Sequence, residues 1–269
     1  MLNMLNIDEI ITSDRIKNSI SDLPKKKCIY YKSDFLFNGS NWRGNHIDSY
    51  DFNSNVLVIG HSDIETNSLV TDKLLNIQPN LKIFSQNGTS PNCSPIPLGI
   101  TNDCNDSGIH KVYGNLEIMI EVSKEIIEKT KLCYLNICTG THSSRNYVVN
   151  KFSKYDWVTH ENPICSFEAR ANFLRKIRAH HFVLCPRGNG IDTHRLWETL
   201  YEGSIPIVIY ENNYRLVKDL PILFINNWDE VTKEFLEEKL LEFNSKTWNM
   251  DKLNLSYWIN LIKHELNDL

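Results

Sequence analysis

Short apolar runs recur along the chain, separated by polar, turn-forming segments. In the first half Cys28–Tyr31, Asn55–Ile59 and Leu81–Phe84 read as strands. In the second half Leu132–Ile137, Tyr155–Val158, Phe182–Cys185, Ile205–Ile209 and Ile222–Ile225 do the same. Continuous apolar runs of four or five residues, without alternation, mark strands covered on both faces, as in a parallel sheet. Between them, helices are predicted at Ser68–Leu75, Leu116–Lys129 and Asn146–Phe152. Another follows an N-cap at Ser166, with Glu168 in its first turn and a buried stripe of Phe167, Phe173, Leu174 and Ile177. A further helix opens at Asp192 as its N-cap and closes at Gly203, and two charged amphipathic helices occupy 229–242 and 251–266. Strands alternating with helices define an α/β fold. The pattern divides into two βαβ-rich halves, 1–112 and 113–269, with an Asp-, Asn-, Ser- and Gly-rich linker at 103–113.

Composition narrows the possible partners. The 269 residues are 41% hydrophobic and 23% charged, with a net charge of −4. That balance speaks against a general nucleic-acid binder, which needs a basic face. Seven cysteines, odd in number and without a C-x-x-C pair, suit reduced thiols better than a disulfide framework or a zinc site. The first residues turn acidic too early for a signal peptide, and no stretch of about 18 apolar residues predicts a membrane span. The expectation is a cytoplasmic protein, in which the sequons at Asn38, Asn87, Asn92, Asn105 and Asn254 merely reflect abundant asparagine.

The chemistry concentrates in 182–209. A strand, a loop containing Gly188, Asn189 and Gly190, a helix N-terminus and a second strand follow one another. This order sets the loop at the carboxyl edge of a parallel sheet, where open α/β sheets bind ligands. Glycines let backbone approach a ligand, and a helix start supplies unpaired N–H groups and partial positive charge. At a 3.6-residue period Leu196, Trp197, Leu200 and Tyr201 share one side of this helix; His194, Arg195, Glu198 and Glu202 share the other. Arg195 has the planar fork that matches phosphate oxygens, and Glu198 is placed to accept from two ribose hydroxyls. The plainer alternative makes Asp192 a simple cap, the glycine loop a simple turn, and Arg195 and Glu198 solvated.

The segment Phe182–Val208 resembles the donor-binding segment of exostosin-type glycosyltransferases: a strand ending Cys-Pro-x-Gly, an Arg-Leu-x-Glu helix and a Gly-Cys-Ile-Pro-Val strand. Within that family the viral xylosyltransferases are nearest. The chain departs from the pattern at Ser204, where the family usually has Cys, and at His194-Arg195. The resemblance implies a GT-B architecture, in which two facing Rossmann-like domains with parallel sheets enclose a cleft. It also implies an inverting reaction with no cofactor and no metal, the donor being a UDP-sugar (UDP-xylose) and the acceptor a fucose-containing glycan.

Inversion needs a base across the sugar from the diphosphate. Asp63 is the first choice: it follows the 55–59 strand through Gly60, and the viral relatives have an aspartate base there. Its alternative is an Asx-turn or a cap for the next helix. Arg145, after the 132–137 strand, and Arg187 join Gly188–Gly190, Asp192, Thr193, His194, Arg195 and Glu198 on the donor side; ordinary salt bridges are the alternative for both arginines. His61, Gln86, Asn87 and Trp42 are assigned to the acceptor side, with His61 and Glu65 as back-up bases, a structural role open for His61 and a core position equally open for Trp42. Two other functions stay in play: a GDP-fucose-dependent fucosyltransferase, and a non-catalytic glycan- or nucleotide-binding protein.

Overall fold

The computed structural model describes residues 5–23, 28–33, 54–101 and 108–267. Within them two sheets form, and every strand pairing is parallel. The first runs β1 (Cys28–Lys32), β2 (Val56–Gly60), β3 (Lys82–Ser85) and β4 (Ser94–Pro95), in that spatial order. The second contains β5 (Lys131–Leu135), β6 (Val158–His160), β7 (His180–Leu184), β8 (Ile205–Ile209) and β9 (Leu223–Ile225), ordered β6-β5-β7-β8-β9. The protein is α/β with two Rossmann-like halves, as its apolar runs require. Every residue of β2 is buried, in keeping with a strand covered on both faces.

The helices are α1 (Ser13–Ser21), α2 (Ser68–Ile77), α3 (Gly108–Tyr113), α4 (Leu116–Ser123), α5 (Ser143–Phe152), α6 (Phe167–Ala179), α7 (His194–Tyr201), α8 (Lys233–Asn244) and α9 (Leu255–Asn267). Ser166 caps α6 by accepting from the Ala169 N–H. Several expectations are corrected. The stretch at 108–113, read as linker, is helical, and α4 ends at Ser123, six residues before Lys129. Phe167 is 46% exposed, and Arg170 takes an interior position on α6 instead. The cap of α7 is Thr193, not Asp192.

The largest core cluster joins the halves. Ile16, Val56 and Phe84 from one side share it with Leu174, Val183 and Trp197 from the other. The last helix, α9, adds Trp258 and Ile262 to that cluster, and its Glu265 pairs with Lys82 at 3.1 Å. Among the described residues no helix is long and apolar enough to cross a membrane.

Candidate active site

In the second sheet the chain leaves β5 for β6 on one flank and returns to β7 on the other. The loops after β5 and β7 therefore diverge and leave a crevice at their carboxyl ends, the topological switch point where doubly wound sheets bind ligands. The first loop leads into α5 and places Arg145 in its first turn. The second, residues 185–193, leads into α7.

The Arg145 guanidinium spans this crevice. Its Nε donates to the Arg187 carbonyl at 2.9 Å, Nη1 to Cys138 at 3.0 Å and Nη2 to Pro186 at 3.3 Å. A Cβ on Gly188 would lie 3.2 Å from Nη2, so glycine lets the loop lie against the guanidinium. Burial, then the nearby Arg195, lowers the Arg145 pKa from its ordinary value.

Thr193 is the N-cap of α7, yet its side chain makes no capping bond. The buried Thr193 Oγ1, Arg187 Nε and Thr141 Oγ1, all flanking the 185–193 loop, have no hydrogen-bond partner. An orphaned buried polar atom costs about 1–3 kcal/mol, so three around one loop leave room there for a stabilising partner, water or ligand.

Arg195, in the first turn of α7, donates to the Asn136 carbonyl at the end of β5 and to Glu198 at 3.2 Å. Its guanidinium carbon lies 4.2 Å from the centre of the Phe173 ring. Glu198 is held from the other side by Arg170 at 2.6 Å, whose side chain is fully buried. Burial works to raise the Glu198 carboxyl, but Arg170 and Arg195 outweigh it and hold it below the ordinary range. The expected polar face of α7 is thus corrected: Glu198 and Glu202 are buried, each beside an arginine of α6. Each Glu198 oxygen accepts from one guanidinium group, Oε1 from Arg170 and Oε2 from Arg195.

Three other assignments change once the hydrogen bonds are counted. Asn87 Oδ1 accepts from the backbone N–H of Ile191 at 3.0 Å and of Asp192 at 3.1 Å, and Nδ2 donates to the Ser62 carbonyl at 2.9 Å. Gln86 Oε1 accepts from the His61 N–H, and Nε2 donates to Ser13 Oγ and to the Pro97 carbonyl. Both amides are 1% exposed. They are clips that hold loops together, not an acceptor wall. Asp192 faces inward: it accepts from Leu98 N at 2.8 Å, from Thr193 N at 2.8 Å and from the Trp197 indole. Burial pushes its carboxyl up to about 7 against those donors.

These clips bring the turn after β2 onto the donor loop. A Cβ on Gly190 would lie 3.1 Å from both Asp63 Oδ1 and the Asn87 amide, so Asp63 sits directly against the 185–193 loop. His194 reaches back to the first half, its Nδ1 lying 2.9 Å from the Gly99 carbonyl. Asn189 is exposed at the loop tip. Asp63, exposed, and His194 line a cavity of about 900 Å³ together with Asp14, Lys17, Tyr30 and His61. His61 adopts a left-handed backbone (φ 54°) and holds Asp14 at 2.8 Å and Tyr30 at 2.5 Å. Asp14, Tyr30 and Arg170 were not singled out from sequence. Ile16 and Ile20, one turn apart behind the Thr12 cap, were the available signal for α1 and hence for Asp14. Trp42 lies outside the described residues. Among the described residues no group of three or more His, Cys, Asp or Glu is arranged around a common metal position.

Fold and site together define an α/β protein with an arginine-lined sheet switch point and the Asp63 turn packed against its 185–193 loop. Residues 128–269, more than half of the chain, match the family model of the RXYLT1 C-terminal domain, and the chain belongs to this family of xylosyltransferase-type glycosyltransferases. The match covers β5 to α9, the crevice included. No curated protein matches the chain.

Proposed function

We propose that this chain is an inverting, metal-independent glycosyltransferase of GT-B type that moves xylose from UDP-xylose to a hydroxyl of a fucose-containing glycan. What carries the reading is the switch-point crevice, where Arg145, Arg195 and the uncapped start of α7 converge on unpartnered polar atoms. The diphosphate lies against Arg145, Arg187, Arg195 and the Gly188–Thr193 backbone. At about 4 Å and an effective dielectric near 20, each opposite charge pair contributes roughly 4 kcal/mol before desolvation. That attraction strengthens as the leaving group gains charge, which is the part a catalyst uses. Residues 113–269 hold the donor and 1–112 present the acceptor. Asp63, against the donor loop, takes the acceptor hydroxyl's proton while the new bond to the anomeric carbon forms and the bond to the diphosphate breaks. Glu198, gripped by Arg170, fixes the direction of Arg195. The odd cysteine count without a C-x-x-C pair suits a reducing, cytoplasmic setting.

Calorimetric titration with UDP and GDP tests the assignment. UDP is expected to bind, and Arg195→Ala to weaken it more than tenfold. Preference for GDP would replace the donor by a guanosine-diphosphate sugar. Unchanged UDP affinity in the variant, or no nucleotide binding by the wild type, would overturn the clamp. UDP binding with no release of UDP from UDP-xylose, with or without acceptor, would leave a nucleotide-binding protein.

A further inference from the structure

The acceptor-side cavity contains a second chain of proton-carrying groups beside Asp63. Tyr30 Oη lies 2.5 Å from His61 Nδ1, and His61 Nε2 lies 2.8 Å from Asp14 Oδ1. With the carboxylate accepting from Nε2–H, Nδ1 is the unprotonated nitrogen and receives the phenol's hydrogen bond. The three side chains come from β1, the turn after β2 and α1, and all open on the cavity that Asp63 lines. Room for the phenol is reserved: a Cβ on Gly60 would fall 2.2 Å from Tyr30 Oη. The His61 backbone is held left-handed, a conformation costing about 1–3 kcal/mol in a residue other than glycine. Its N–H bond to Gln86 and its two ring partners sustain that conformation. Such strain collects where a side chain's direction matters more than stability.

We propose that Tyr30, His61 and Asp14 form a proton relay on the acceptor wall, so that deprotonation of the acceptor hydroxyl does not fall to Asp63 alone. The idea rests on the transferase reading and deepens it. On this route, which runs in parallel with transfer to Asp63, the acceptor oxygen's single proton passes to Tyr30 Oη as that oxygen bonds to the anomeric carbon. The phenol's own proton moves to His61 Nδ1, and the Asp14 carboxylate stabilises the imidazolium. The electron pair of the broken glycosidic bond leaves with the diphosphate, and His61 later returns its proton through Tyr30 to water. Tyr30 touches the substrate; His61 and Asp14 act through it.

The electrostatics fit a neutral ring at rest. Burial holds the His61 pKa below the ordinary imidazole value; Asp14 pulls it up, and Lys17 and Lys32 push it down. Among the described residues the other charged or titratable groups facing this cavity are Tyr31 on β1, Asp63, His110 on α3 and His194 on α7.

The experiment compares Tyr30→Phe, His61→Asn and Asp14→Asn in the full chain. It follows UDP release from UDP-xylose with p-nitrophenyl fucoside and with water, alongside UDP affinity. Asparagine tolerates the left-handed backbone but takes no proton. Tyr30→Phe and His61→Asn are expected to lower kcat at least tenfold with UDP affinity unchanged. Asp14→Asn keeps an acceptor for Nε2–H but removes a charge that raises the His61 pKa, so the acid limb of kcat should move to lower pH. Nitrogen NMR of the wild-type ring at pH 7 should show Nε2 protonated and Nδ1 bare. A wild-type pH profile in Asp14→Asn, wild-type kcat in Tyr30→Phe, or a proton on Nδ1 at pH 7 would each overturn the relay while the transferase reading stands. Absence of UDP release by the wild type would overturn both.

Discussion

The two sheets share a construction and differ in what their carboxyl edges do. The first runs β1-β2-β3-β4 without a reversal, and its loop after β3 is tied to neighbouring segments. Gln86 and Asn87 place their amides on protein partners. The second reverses at β5 and β7, and its loop after β7 leaves Arg187 Nε and Thr193 Oγ1 without partners. Both loops are polar and glycine-bearing, and both follow a buried strand. Residue type does not separate a loop that binds its neighbours from one that waits for a ligand. Topology and hydrogen-bond accounting do.

The largest test of this contrast falls where the two edges meet. Asp63 projects from the self-satisfied edge onto the ligand-ready one, so Asp63→Asn should remove transfer chemistry and leave the clamp. General-base assistance is worth 10²–10⁴-fold, roughly 3–5 kcal/mol in barrier. With the relay still in place, a loss of about 10²-fold in kcat is expected at unchanged UDP affinity. Equal losses of affinity and turnover would show that Asp63 belongs to the donor clamp and would blur the division of labour.

Asn87→Ala probes the closed edge. It strips the acceptor from two buried backbone N–H groups of the donor loop, at about 1–3 kcal/mol each. Urea denaturation should show a stability loss of about 3 kcal/mol. Arg195→Ala is the mirror case, since Glu198 keeps Arg170 when Arg195 is gone. Its loss should appear in UDP titration far more than in unfolding. Asn87→Ala with intact stability would mean that the clip is ornamental and that the two loops dock by other contacts.

How far the sequence alone reaches follows the same physics. The strands were legible because fully buried parallel strands are written as unbroken apolar runs; β2 and β8 lie within a residue of their expected spans. The donor loop was legible because glycine, arginine and a helix start are local features. Glu198 and Glu202 were misplaced because periodicity sees one helix at a time. Their burial is set by Arg170 and Arg178 on α6, which no local pattern on α7 contains. Arg170 in turn occupies an interior place beside the expected apolar stripe, while Phe167 points outward. Gln86 and Asn87 were read as ligand groups because side-chain amides suit both uses, and the choice lies in partners from distant segments. Asp14 went unnoticed because its chemistry begins only when α1 packs beside β1.

The smallest expected effect isolates the second sheet from its site. His180 begins β7, fully buried, with its ring 2.8 Å from Thr159 Oγ1 and stacked on Tyr134 at 5.1 Å. Burial lowers its pKa from 6.5 to about 4, so between those values the unfolded chain binds the extra proton. Stability contributed by the neutral ring is therefore complete above about pH 6.5 and declines as pH falls toward 4. At 1.36 kcal/mol per unit, the decline from pH 6.5 to 5 is about 2 kcal/mol. Asp192 and Glu202, each raised to about 7 by burial, act in the opposite sense, since their protonated forms favour the folded state as pH falls. The measurement that separates them is the difference in urea stability between wild type and His180→Gln across pH 5–7. The wild type should lose about 2 kcal/mol relative to the variant on acidification, with UDP affinity at pH 7 the same in both. Parallel pH curves would show that His180 is protonated no more readily in the unfolded chain, and that the sheet beneath the clamp carries no titrating strain.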